Sequence, residues 1–241
     1  MAQVILITSG KGGVGKSTVC VQLGRALAGA GQRVLLVEGS RRAMDVLFGV
    51  ADDVVFDLAD AAAGRCGLED AILNVGCKGL LRLICAPVGA QPALDAPLYQ
   101  QLVELLDVHF DVILIEADGT VAESLEPFMK ACDRAVILSS ADQVSARAGR
   151  LVSDYLYEQG IVDIRLCINM LPPDFAKQRP VPHLDWMIDR ICAQLIAVVP
   201  FDATLFWSGE PVKPSDLSNL AKMVFDNFAQ RILGNYIDLL V

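Results

Sequence analysis

Residues 9 to 18 read Ser9-Gly10-Lys11-Gly12-Gly13-Val14-Gly15-Lys16-Ser17-Thr18. Glycines at 10, 12, 13 and 15 let successive backbone N–H groups turn inward, and a helix beginning just beyond them adds the positive end of its dipole. That combination cradles phosphate. Lys16 can reach the outer phosphates of a nucleoside triphosphate as a point charge, the Ser17 hydroxyl can ligate a Mg²⁺ bridging two of them, and Thr18 can contact an inner phosphate. The expected ligand is ATP with Mg²⁺, held along the run from Gly10 through Val14 to Thr18. For Lys11 the spacing leaves two readings open, a solvated side chain in a glycine loop and a functional one.

A phosphate loop works only between a buried strand and a helix. Val4-Ile5-Leu6-Ile7 is short, apolar and β-branched, as expected of a strand covered on both faces, and the segment 17–30 reads as helix. The same strand texture recurs at 34–37, 81–84, 112–115, 135–138, 164–168 and 196–199. Helical stretches lie between these runs, among them 96–106, 146–159 and 185–194. The alternation predicts an α/β fold, one domain over residues 1–241, with a mainly parallel sheet of about seven strands flanked by helices on both faces. The proline-bearing stretch 171–182 reads as a surface loop.

Composition agrees with a compact globular chain: 54% hydrophobic and 20% charged residues in 241. A net charge of -9 disfavours non-specific DNA binding. The seven cysteines, 20, 66, 77, 85, 132, 167 and 192, show no metal-ligand spacing and are read as reduced thiols of a cytoplasmic protein, mostly packed in the core. No stretch approaches the roughly 20 apolar residues of a membrane span.

Two further segments carry acids at strand ends. Val112-Ile113-Leu114-Ile115 is followed by Glu116-Ala117-Asp118-Gly119. Glu116, fixed by the strand before it, is the favoured contact to Mg²⁺ through water, with Asp118 as the alternative, and Gly119 suits a switch-like turn. After the second strand the chain reads Glu38-Gly39-Ser40-Arg41-Arg42-Ala43-Met44-Asp45.

The loop at 9–18 resembles the deviant Walker A motif of the MinD/ParA family of ATPases. Leu166-Cys167-Ile168-Asn169 and Gly209-Glu210-Pro211-Val212 also fall where MinD-like proteins carry similar strings. The resemblance implies that Lys11 reaches across a sandwich homodimer to the partner's nucleotide and that Asn169 contacts adenine. It implies catalytic roles for Lys11 and Lys16, and it puts Ser40 where the family carries a water-orienting aspartate. The connection to Asp45 is shorter than the family's, and Glu116-Ala117-Asp118-Gly119 replaces the longer Asp-x-Pro-Ala-Gly.

A neutral hydroxyl does not act as a base near pH 7, so hydrolysis is expected to be slow or absent. Glu38 is read as a structural acid at the strand end, with Asp45 as a lesser candidate for the missing carboxylate. The functional expectation is a nucleotide-dependent dimerisation switch in cell division or spatial positioning, acting on a protein partner. The alternatives are a non-hydrolysing scaffold and, less favoured, an ATP-dependent enzyme like dethiobiotin synthetase. The cysteines do not match the cluster-binding pattern of a nitrogenase-type iron protein.

Arg41 and Arg42 follow a strand on the side where ligands collect in an open α/β sheet, and read either as phosphate-stabilising or as solvated. Near the C-terminus Leu220, Val224, Phe228, Ile232, Tyr236 and Leu240 share a helical stripe. With Asp238 and no basic residue after Arg231, packing on the domain is favoured over membrane attachment. Trp186, Trp207, His109 and His183 read as packing or surface residues.

Overall fold

A computed structural model describes residues 1–89, 96–172, 175, 183–207 and 209–240, with Trp207 described by its backbone alone. The expected loop at 171–182 lies mostly outside these residues, as does the reading of the Trp207 side chain.

Eight strands form one sheet: β1 (Gln3–Thr8), β2 (Val34–Glu38), β3 (Ile72–Gly76), β4 (Leu81–Ile84), β5 (Val112–Glu116), β6 (Arg134–Ser139), β7 (Ile164–Leu171) and β8 (Gln194–Pro200), in the order β3-β4-β2-β5-β1-β6-β7-β8. All neighbours are parallel except β3, which runs antiparallel to β4. β3 is the strand beyond the expected seven. Its residues are half-buried or exposed, so it lacks the apolar run that marks a strand covered on both faces.

The central strands are apolar at every position because each face meets a helical layer. Leu6, Leu35, Ile113 and Ile137 point into one core, with α4 (Ala96–Leu106), α5 (Gln143–Glu158) and α6 (Leu184–Ile191) over it. Ile7, Leu36, Leu114 and Leu138 point into the other, under α1 (Lys16–Gly29) and α8 (Asn219–Ile232). The period of two along each strand thus feeds two cores at once.

Two expected helices end early. α6 stops at Ile191 because Cys192 takes a left-handed conformation (φ 56°), and β8 starts at Gln194. The C-terminal stripe holds only through Ile232. Gly234 turns left-handed (φ 86°), Tyr236 stands 92% exposed, and Leu220 is exposed as well. Val224, Phe228 and Ile232 do pack on the core, and Leu240, beyond the helix, packs against it partly buried. Among the described residues no helix is long and apolar enough to cross a membrane. All seven cysteines are free, and Cys20, Cys85, Cys132 and Cys167 are buried. His109 is exposed, and His183 caps α6 by accepting from the Trp186 N–H at 3.2 Å.

Strand order decides which loops meet. β1 lies between β5 and β6, with β2 next to β5, so the C-terminal ends of β2, β5 and β1 sit side by side. Glu38 pairs in register with Glu116, and Glu116 with Ile7. The short connections after three strands converge there. α2 (Met44–Phe48), α3 (Leu58–Ala62) and α7 (Ala203–Trp207) border this end.

Candidate functional site

β1 runs into the glycine loop, and α1 starts at Lys16 with no side-chain cap. Its first N–H groups are therefore left for an outside acceptor, the requirement for holding an anion. Gly15 caps the helix with φ 88°, and a Cβ there would stand 2.5 Å from the Asn169 amide nitrogen. Gly10 is needed for a different reason: a Cβ would strike the backbone oxygen of Ala148 on α5 at 2.3 Å. Gly12 has open space around it.

The two lysines have different partners. Lys16 donates to the Ser9 hydroxyl at 3.1 Å and lies 3.7 Å from the Asp118 carboxylate, while Ser9 donates to the Lys11 carbonyl at 2.8 Å. Lys11 turns away from the glycine loop to meet Asp142 at 3.3 Å. Asp142 caps α5 by accepting from the Ser145 N–H at 2.8 Å. Partial burial would raise its pKa, but the hydroxyls of Ser140 and Ser145, the Ser145 N–H and Lys11 together hold this carboxyl well below the usual carboxylate range.

Ser17 donates to the Glu116 carboxylate at 3.3 Å. Glu116 is buried, and that burial pushes its pKa up to about 7, against the pull of Lys16 and with the repulsion of Glu38 and Asp118. A hydroxyl and a carboxylate side by side are hard oxygen donors of the kind Mg²⁺ takes. The two acids left open by the sequence therefore face different groups, Glu116 toward Ser17 and Asp118 toward Lys16.

Neither further acid is free to orient water. Glu38 is fully buried and accepts from three backbone N–H groups, those of Ala43 (2.7 Å), Met44 (2.6 Å) and Ala86 (3.0 Å). It ties the turn after β2 to the end of β4, in keeping with a structural acid. Asp45 accepts from Arg42 at 2.6 Å and from the Val46 N–H at 2.8 Å. That ion pair occupies Arg42, whereas Arg41 extends into solvent. The Ser40 hydroxyl accepts from the Asp118 N–H at 2.7 Å, so the turns after β2 and β5 are joined. Gly119 sits against Thr8: a Cβ would stand 2.7 Å from the threonine hydroxyl oxygen, itself buried without a hydrogen-bond partner.

Asn169 is buried and donates to the Val14 carbonyl at 2.8 Å, bracing the glycine loop from the end of β7. Beside it a cavity of about 220 Å³ is lined by Gly15, Thr18, Asn169, Phe201, Leu205 and others of the 200–206 segment. The structure thus brings Gly10 to Thr18, Glu116, Ser40 and Asn169 to one end of the sheet. It adds Asp142 and the 200–206 segment, which sequence reasoning missed. The signal for Asp142 was Asp142-Gln-Val-Ser145, a helix-start pattern.

The family model described as "CobQ/CobB/MinD/ParA nucleotide binding domain" matches residues 5–210. The chain belongs to this family. The septum site-determining protein MinD of Bacillus subtilis (strain 168) is 30% identical over the whole chain and 92% of that protein. A MinC:MinD cell division complex from Aquifex aeolicus superposes with a TM-score of 0.88 at 26% identity, covering 100% of this chain and 99% of that one. The Pyrococcus horikoshii OT3 MinD solved with Mg-ADP shares the fold, with a TM-score of 0.80 at 24% identity over 96% of each chain.

Within this MinD/ParA-type frame the loop after β1 carries Gly10, Gly12, Gly13 and Gly15 with Lys11, Lys16, Ser17 and Thr18. Two turns face it, at Glu38–Asp45 and Glu116–Gly119. There the chain carries Ser40 and Asp118, joined to each other by the 2.7 Å hydrogen bond.

Proposed function

We propose that the chain, as one domain over residues 1–241, binds ATP with Mg²⁺ and forms a homodimer around it, and that the nucleotide-bound dimer engages a protein partner in cell division or spatial positioning in the cytoplasm. The observation that carries this reading is the uncapped start of α1 beside Lys16, with Ser17 in hydrogen-bond contact with Glu116. Loop and helix N–H groups from Gly10 to Thr18 hold the phosphates, and Lys16 leaves Asp118 to neutralise the outermost one. Ser17 and Glu116 would hold Mg²⁺, which supplies charge neutralisation across the outer phosphates. Asn169 and the 220 Å³ cavity beside it receive the nucleoside end.

Hydrolysis is slow in this reading because no free carboxylate faces the phosphates from the β2 turn. Ser40 donates its position but no negative charge, and Glu38 and Asp45 are consumed by other bonds. Support for the biological setting comes from the relatives, whose names place them in septum positioning and in a complex with MinC. The test is binding of a fluorescent ATP analogue with and without Mg²⁺, run beside size-exclusion chromatography. Mg²⁺-dependent binding that is lost in Lys16→Ala, together with an ATP-induced shift to twice the mass, is expected. Binding unaffected by Lys16→Ala would overturn the site, and an unchanged elution position would overturn the dimer.

A further inference from the structure

A cavity of about 800 Å³ opens beside the turn after β2, with no residue of the glycine loop in its described lining. It is the size of a small-molecule pocket and larger than the one beside Asn169. Its buried lining has an apolar part, Leu58, Tyr99 and Phe128, with the Tyr99 and Phe128 rings tilted against each other at a centroid distance of 4.5 Å, and two acids, Glu38 and Asp45, each already bonded within the chain. The Tyr99 hydroxyl, although 2% exposed as a residue, has among the described residues only a long 3.5 Å bond to the Gly39 carbonyl. A buried phenol normally has a firmer partner, so this group of a cavity-lining residue is under-satisfied.

The mouth has a different character. Val46 and Val88 line it while 64% and 73% exposed, and Arg41, also in the lining, is exposed and has no hydrogen bond or ion pair among the described residues. Every other polar side chain at this turn is spoken for: Glu38 by three N–H groups, Arg42 by Asp45. An apolar interior with a buried phenol and one free guanidinium at the rim fits a molecule with an apolar body and a single anionic head.

We propose that this cavity is a second ligand site, taking a small organic anion with an apolar, ring-sized body whose acidic head meets Arg41. The position gives such a ligand a route to the phosphate loop. Ser40 and Ser124 both line the cavity, and both hold the main chain of Asp118: Ser40 accepts from its N–H at 2.7 Å and Ser124 donates to its carbonyl at 2.5 Å. The Asp118 carboxylate in turn faces Lys16. An occupant pressing on the two serines therefore shifts the counter-ion of the phosphate-loop lysine. This second step rests on the nucleotide-binding reading; the pocket itself does not.

The experiment titrates the full-length chain with 8-anilinonaphthalene-1-sulfonate, an aromatic sulfonate of the stated chemistry, and follows its fluorescence. Saturable binding at one dye per chain is expected, weakened about tenfold by Arg41→Glu and abolished by Ala59→Phe, which fills the cavity from α3. Displacement by 4-phenylbutyrate and by phenyl phosphate, but not by inorganic phosphate, supports an apolar-bodied anion of either head group. The dye is titrated without nucleotide, so failure of the nucleotide reading leaves this result intact. Should Ala59→Phe fail to fold, Arg41→Glu decides alone, because that side chain is exposed and makes no hydrogen bond or ion pair among the described residues. Absence of saturable binding, or equal binding by the unmodified chain and Arg41→Glu, overturns the proposal.

Discussion

Lys11 and Asp142 form an ion pair within the chain, 3.3 Å apart and each about two-fifths exposed. In the proposed dimer Lys11 has to leave this partner to reach the neighbouring nucleotide, so the pair opposes dimerisation. A pair this exposed contributes no more than about 1 kcal/mol. Asp142→Asn removes the charge but keeps a good helix cap at the start of α5. It should tighten ATP-dependent dimerisation by about two- to fivefold, as the same fraction of a kcal/mol requires. Sedimentation velocity with ATP and Mg²⁺ checks this; weaker association would show that Asp142 assists the dimer.

Asn169 offers a separation of roles. Its amide donates to the Val14 carbonyl, a contact within the chain. Removing one partner of a buried hydrogen bond costs about 1 to 3 kcal/mol. Asn169→Ala should therefore lower stability in urea even in nucleotide-free protein, besides weakening ATP binding. If only nucleotide affinity falls, the bracing role is wrong.

Burial of Glu116 makes a prediction about pH. Its pKa in the folded chain is pushed up to about 7, above that of an unfolded glutamate. Between the two values the folded state holds the proton more tightly, so stability falls as pH rises from about 4.5 to about 7 and levels off beyond. The expected loss is a few kcal/mol at most. Glu38, whose pKa burial also raises, adds to it with the same sign. Urea unfolding at low and neutral pH without Mg²⁺ should show the decline, and Glu116→Gln should flatten it. An equal slope in the variant would mean that other groups produce it.

Why some of this was legible in the sequence and some not follows from geometry. The glycine loop is contiguous, and the strands around it are apolar at every position because both faces are covered, so both show in a linear reading. β3 is an edge strand with one partner, and Asn74 and Gly76 break its apolar run. The end of α6 rests on a left-handed Cys192, a conformation that its residue type does not announce. The site shows the same division. Ser17 and Lys16 were readable by spacing, but the contact of Ser40 with Asp118 joins residues 78 positions apart and depends on β2 and β5 being neighbours. Nothing in either turn alone shows that they touch. Asp142 likewise comes to Lys11 from across 131 positions, brought there by β6 lying next to β1.

The Ser40–Asp118 contact also shapes the expected effect of restoring an acid. In Ser40→Asp the new carboxylate can still accept from the Asp118 N–H, so the turn need not move, but it adds negative charge where Asp118 and Glu116 already stand. Two outcomes compete: a base now faces the phosphates, and the added repulsion weakens phosphate binding without Mg²⁺. With saturating Mg²⁺ the cation offsets the repulsion, and a positioned base is worth about a hundredfold or more in rate. Ser40→Asp should therefore raise steady-state ATP turnover by at least about tenfold at high Mg²⁺, with an apparent ATP affinity that depends more steeply on Mg²⁺ than in the unmodified chain. The double variant Ser40→Asp, Asp118→Asn should keep the gain in turnover and lose the steeper Mg²⁺ dependence. Unchanged turnover in both would mean that Ser40 does not stand at the water-orienting position, and that the shortened turn after β2 has moved that position out of reach of any side chain it carries.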